Sequence, residues 1–264
     1  MILPADPTAQ ARPVMNSLRS TLVLAALSAT FAGTAAGHDG GHHGGIATGP
    51  GRLVKAPFDI VHTRISTAGN LAIFHMAVSG KAGASRPAKS GQRAGSSVFS
   101  YVWPTSLDPA VVGFEAKAGI LAFAVTAHPD FDDTPLFDEN GDGKPDNDGG
   151  VWHSHWVVLQ ADAACGADAL KVVDIPAGAK PRLPKTWPGL PILIDSPGWA
   201  PTFRGASVEV RVPFDDIGIV QAGRFDGVTA ALRVNASVHE PLLCVVDVFK
   251  VASGDLSLPG KVDH

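Results

Sequence analysis

The chain has 264 residues, 45% hydrophobic and 17% charged, with 29 Gly, 21 Pro, a single Tyr and a formal net charge of −4. So low a charged fraction leaves enough apolar surface to bury a core and argues against a disordered chain. Gly and Pro together make about one residue in five, which argues against a bundle of long helices, and the mildly acidic chain has no basic stripe for nucleic acid.

At the N-terminus Met15 offers a second start, followed by the positive segment Asn16-Ser17-Leu18-Arg19 and an apolar stretch from Thr21 to Gly33. Thr34-Ala35-Ala36-Gly37 are small residues that suit a signal peptidase. The apolar stretch is too short to cross a bilayer of roughly 30 Å. Residues 1–37 therefore read as a signal peptide with its true start at Met15. The mature chain is expected to be periplasmic or secreted, with no membrane span after cleavage. In that oxidising compartment the two cysteines, Cys165 and Cys244, are expected to form a disulfide. Closing a loop of about 80 residues is worth roughly 4 kcal/mol in the chain-entropy treatment.

Residues 38–57 begin His38-Asp39-Gly40-Gly41-His42-His43 and show no apolar periodicity, so they read as a flexible His/Gly tail. If cleavage exposes His38, its amine and imidazole, with His42 and His43, form a tail site that suits Cu(II). From residue 58 the chain turns to short β-branched and aromatic runs separated by Gly, Pro, Asn and Asp. Strands are predicted over 58–65, 71–79, 97–103, 111–115, 120–127, 151–160, 170–174, 191–195, 207–213, 227–238 and 242–251, and one or two helical turns over 215–222. Residues 81–96 read as a small, polar, basic surface loop, and 177–189, with Pro181, Pro184 and Pro188, as an extended connection. The expected fold is a single all-β domain over 58–264, a β-sandwich or barrel-like arrangement of about ten short strands with long loops.

One long loop carries the string Asp138-x-Asn140-x-Asp142-Gly143-x-x-Asp146. Alternate oxygen side chains, a Gly for the sharp turn and a backbone carbonyl from Lys144 are the parts a calcium loop needs. The segment resembles the first nine positions of an EF-hand loop, and also the calcium loops of thrombospondin type-3 repeats and dockerins. Where an EF-hand places its bidentate Glu this chain has Gly149, and Asp148 stands one position earlier. The resemblance implies a structural Ca2+ on Asp138, Asn140, Asp142, Lys144, Asp146 and Asp148.

Directly after it comes Val151-Trp152-His153-Ser154-His155-Trp156. On a strand His153 and His155 share one face, about 7 Å apart at Cβ, close enough to reach one ion. The string resembles the HxHW strand of α-class carbonic anhydrases, whose further histidine context this chain lacks. If 120–127 and 151–160 pair antiparallel, residues near 127 face residues near 152, which brings His128 to the same rim. Asp130 and Asp132 then stand ready to complete a mixed nitrogen and oxygen shell for Zn2+ or Cu2+. His62, His75 and His239 are further histidines on predicted strands or at their ends.

No GxSxG elbow, P-loop, GxGxxG or HExxH occurs. The expected function is an exported metal-binding protein, with structural calcium and a histidine-rich rim site for zinc or copper. Two alternatives stand beside it. One is a zinc-dependent hydrolase or hydratase built on the rim histidines. The other is a calcium-stabilised carbohydrate-binding module in which Tyr101, Trp103, Trp187 and Trp199 form an aromatic platform.

Overall fold

The structure, a computed structural model, describes residues 45–237 and 241–264. Its strands in chain order are β1 (Ile46–Ala47), β2 (Ile60–Ala68), β3 (Leu71–Val78), β4 (Ser97–Pro104), β5 (Ile120–Ala127), β6 (His153–Ala161), β7 (Leu170–Val172), β8 (Ile194–Asp195), β9 (Thr202–Arg204), β10 (Ser207–Pro213), β11 (Arg224–Phe225), β12 (Val228–Val234), β13 (Leu243–Val251) and β14 (Gly260–Lys261). One short helix, α1 (Ile217–Gln221), is capped by the Asp216 carboxylate and falls within the predicted helical turns. The signal peptide and the tail histidines His38, His42 and His43 lie outside the described residues, as does His239. Among the described residues no helix is long and apolar enough to cross a membrane.

The architecture is a barrel with a second sheet against its outer wall. Strands β5, β4, β12, β13, β7 and β6 pair antiparallel in that order, and β6 closes on β5. The second sheet runs β1-β2-β3-β10-β9, all antiparallel. Strand β5, Ile-Leu-Ala-Phe-Ala-Val-Thr-Ala, shows how one sequence serves two cores. Its outward Leu121, Phe123 and Val125 join Phe74, Trp103 and Trp156 in the large cluster between barrel and sheet. Its inward Ala122 and Ala124 join Val98, Val102, Val157 and Leu232 inside the barrel. Phe74 anchors the outer cluster, with ring centroids 4.5 Å from Phe123, 5.7 Å from Trp156 and 5.8 Å from Trp103. Truncating such a ring costs about 3–5 kcal/mol. The bulky side chains thus hold the two layers together, and the small ones are left to line the lumen.

Cys165 and Cys244 are bonded, closing a separation of 79 residues beside the single bridge between β13 and β7 at Cys244 and Lys171. Two expectations need correction. Residues 111–115 are not a strand: Asp108 caps a 3-10 turn over Pro109–Val112, and Gly113 ends it at φ 105°, so local turn chemistry overrides the β-branched pair Val111-Val112. The tail does not extend to residue 57, because Ile46 and Ala47 pair with Thr63 and His62 of β2. Lys250 holds this segment, donating from Nζ to the Gly49 carbonyl and to Asp59 Oδ1, both at 2.6 Å.

Asp59 is 2% exposed and also accepts the Gly51 N–H at 2.9 Å. Burial pushes its carboxyl up, but the Lys250 ammonium and the Gly51 N–H outweigh that and hold it below the usual carboxylate range. A carboxylate whose folded pKa lies below its unfolded value of about 3.9 stabilises fully above that value, and the contribution fades as pH falls through the lower folded value. Asp59→Asn should therefore cost roughly 3 kcal/mol at neutral pH. The gap between wild type and variant in denaturant titrations should stay constant down to about pH 5 and narrow below about pH 4.

Candidate metal centre

β5 and β6 pair with Thr126 opposite His153 and Ala124 opposite His155. Side chains alternate along a strand, so His153 and His155 follow the inward face of Val157 and Leu159, and His128, two residues beyond Thr126, continues the inward face of β5. This register is the one that places residues near 127 opposite residues near 152. It brings all three imidazoles to one end of the lumen, where Asp133 joins them.

Each imidazole is fixed through its Nδ1. In His128 that nitrogen donates to the Phe131 carbonyl at 3.0 Å, and the ring stacks on Phe131 with centroids 4.0 Å apart. In His153 it donates to the Val151 carbonyl at 2.7 Å. In His155 it faces the Ser196 hydroxyl at 3.1 Å, whose own hydrogen goes to the Asp133 carbonyl at 2.6 Å. These partners, all acceptors toward Nδ1, assign the proton there and leave a lone pair on every Nε2.

The three Nε2 atoms converge on one carboxylate oxygen. Asp133 Oδ1 lies 3.2 Å from His128, 3.1 Å from His153 and 3.3 Å from His155, and the Nε2 atoms of His128 and His153 are 3.0 Å apart. All four residues are buried, with exposures of 1–6%. Asp133 Oδ1 and His155 Nε2 have no hydrogen-bond partner. The Thr126 hydroxyl stands 3.1 Å from His153 Nε2, but the lone pairs that face Asp133 Oδ1 have no hydrogen between them and repel unless a cation sits among them.

The separations of 3.0–3.3 Å fit such a cation, and the widest pair lies within 4.8 Å. Bonds of about 2.0–2.1 Å to nitrogen set donor atoms about 3.3 Å apart around a tetrahedron, or about 2.9 Å along an octahedral edge. Calcium takes oxygen ligands at about 2.3–2.6 Å, and a three-imidazole set does not suit it. Among the described residues, His128, Asp133, His153 and His155 are the one group whose ligand atoms gather within 4.8 Å, and it could hold a metal ion.

The oxygen ligand differs from the expectation. Asp130 faces away, accepting the Ser90 and Gly91 N–H groups at 2.6–2.9 Å. Asp132 accepts the Thr134 N–H at 2.7 Å, a turn two residues ahead of itself, and the Asp148 N–H at 2.8 Å. That turn carries the next residue, Asp133, inward. The pattern Asp132-x-Thr134 was the available signal. His62 and His75 sit together on β2 and β3, ring centroids 6.1 Å apart, and are not part of this centre.

The acidic loop spends its oxygens on itself. Asp138 accepts the N–H groups of Gly141, Asp142 and Gly143 at 2.7–3.1 Å, and Asp142 accepts from Lys144 N–H and from the Asn147 amide, each at 2.9 Å. Asp148, fully buried, accepts the Glu139 N–H at 2.8 Å and the Asn140 amide. Asp146 is exposed. Gly149 donates no side chain because none fits: an added Cβ would lie 1.7 Å from the Phe131 carbonyl oxygen. Its own carbonyl accepts the His128 N–H at 2.6 Å, so the place of an EF-hand glutamate is taken by the backbone that seats a histidine. Burial also pushes the nearby Glu139 carboxyl up. The aromatic platform is not formed, because Tyr101 and Trp103 are fully buried in the outer cluster.

Comparison of the chain with family models, with curated proteins and with solved structures finds no match.

Ser196→Ala, which frees His155 Nδ1, should weaken zinc binding 10- to 100-fold in competition with a chromogenic chelator, whereas Asp130→Ala should leave it unchanged. Gly149→Ala should displace the His128–Phe131 segment, and zinc should then no longer raise the melting temperature.

Proposed function

We propose that this chain is an exported metalloprotein that holds one first-row transition ion, zinc or copper, on His128, Asp133, His153 and His155. The observation that carries this reading is the convergence of three Nε2 atoms, their Nδ1 protons committed elsewhere, on one buried carboxylate oxygen, with Asp133 Oδ1 and His155 Nε2 left without a hydrogen-bond partner. Mixed imidazole and carboxylate donors suit zinc and copper. Export is supported by the Cys165–Cys244 disulfide, which belongs to an oxidising compartment. Holding the ion, rather than zinc hydrolysis, is favoured by the donor count. A hydrolytic zinc keeps three protein ligands and a water, and here four protein ligand atoms lie within 4.8 Å of one another.

The test uses the full chain with His38, His42 and His43 replaced by Asn, so that the tail cannot contribute. After loading with zinc or copper and dialysis, elemental analysis should find one ion per chain, and Asp133→Ala or His155→Ala should lose it. Removal of the ion should lower the melting temperature, since a ligand bound only to the folded state stabilises by mass action. A chain that retains no stoichiometric transition metal overturns the reading. Calcium on Asp138, Asn140, Asp142 and Asp146 is proposed as a separate element, supported by their spacing. A calcium-dependent rise in melting temperature that Asp142→Ala abolishes and Asp133→Ala spares is the expected outcome.

A further inference from the structure

The barrel is not filled. Its lumen holds a cavity of about 370 Å³ lined from all six barrel strands, and His128, Asp133 and His155 form part of its wall. The cause lies in the alternation already described: the inward positions carry Ser100, Ala124, Thr126 and Ala230, while the rings on the same strands point out to the second sheet. Most of the rest of the wall is Val, Leu and Ile, so the chamber is apolar apart from the metal cluster and a few side chains. Ser100 has its hydrogen committed to the Ala230 carbonyl at 3.0 Å. Thr126 faces His153 Nε2 at 3.1 Å, beside the cluster. The polar chemistry of the lumen is therefore gathered at one end. The lining also includes Val246 and Val248, 44% and 49% exposed, and the exposed Asp168 and Asp247, so the chamber reaches solvent past β13.

We infer that this lumen binds one neutral, largely apolar small molecule whose single lone-pair-bearing head reaches the metal ion. The inference rests on the metal reading proposed above. Size follows from volume: a dry apolar cavity of about 150 Å³ takes benzene, so this chamber takes a molecule roughly twice as large. Neutrality follows from the apolar wall, which disfavours a charge of either sign, and from Asp168 and Asp247 at the mouth, which disfavour an approaching anion. A single head follows from the walls, which offer a second polar group on the guest no partner away from the cluster. His128, Asp133 and His155, which would hold the ion, also line the cavity, so an ion there would be open to the guest's lone pair from that side, and no bond in the guest would be broken.

The probe is 4-phenylimidazole, compared with imidazole, on the cobalt-loaded full chain with its three tail histidines replaced by Asn. The visible cobalt bands should shift with both, and the phenyl ring, if buried in the lumen, should tighten binding by roughly 10- to 100-fold. Ala124→Phe should remove that advantage while leaving the cobalt content unchanged. Ala230→Leu serves as a second, milder filling should Ala124→Phe fail to fold. Cobalt content measured on the same samples separates the two failures. Samples that hold no cobalt overturn the metal reading and the head-group contact with it. Samples that hold cobalt but bind 4-phenylimidazole no tighter than imidazole, or keep the advantage after the lumen is filled, overturn the chamber alone.

Discussion

The pairing of β5 with β6 is the constraint on which the rest depends. It closes the barrel, and its register sets Thr126 opposite His153 and Ala124 opposite His155. A slip by one residue would turn every side chain of one strand to the other face. Trp156 and Val158 would then point into the lumen, and His153 and His155 would enter the aromatic cluster around Phe74. Burying two imidazoles there without partners costs several kcal/mol, and losing the rings costs more. The packing of barrel against sheet and the gathering of the histidines are thus consequences of one register, which the hydrophobic pattern itself enforces.

Within that frame the cluster is held by groups that never touch an ion. The carbonyls of Phe131 and Val151 and the Ser196 hydroxyl each take an Nδ1 proton, so the Nε2 lone pairs point inward before any ion arrives. Ser196 does more, since its hydrogen binds the Asp133 backbone carbonyl and couples the oxygen ligand to the third histidine. Such preorganisation keeps each ring in one tautomer and one orientation, the part of a metal site that outer-shell partners supply. Proton assignment and packing are therefore the same feature seen from two sides.

How much of this the sequence made legible varies with the kind of order involved. Where side chains alternate, as along 120–127 and 153–161, the inward and outward faces could be read off, and with them His153, His155 and, by register, His128. Closure of the barrel through β7 and β13 could not, because it rests on a single bridge at Cys244 and Lys171 between strands far apart in the chain. Asp133 escaped for a different reason. It sits in a loop with no period, and its direction is set by the turn that Asp132 makes with Thr134. Val111 and Val112 misled because a β-branched pair suggests a strand, while the Asp108 cap and Gly113 decide the backbone. Sequence spacing predicts faces well and loop directions poorly.

The charge of the cluster and the character of the lumen are linked. A divalent ion on three neutral imidazoles and one carboxylate leaves a net charge of about +1 at the end of an apolar chamber, where poor solvation makes it costly. One feature of the chain acts on that excess. Asp168 and Asp247 at the mouth contribute negative potential from a distance, softened by the water around them. The lone pair of the proposed guest would act at bonding range and in a low dielectric, where it is worth far more. Filling the lumen with larger side chains would remove the cavity but leave the ion facing hydrocarbon on one side. Ala124 and Ala230, by staying small, keep open the one direction from which the remaining charge can be met.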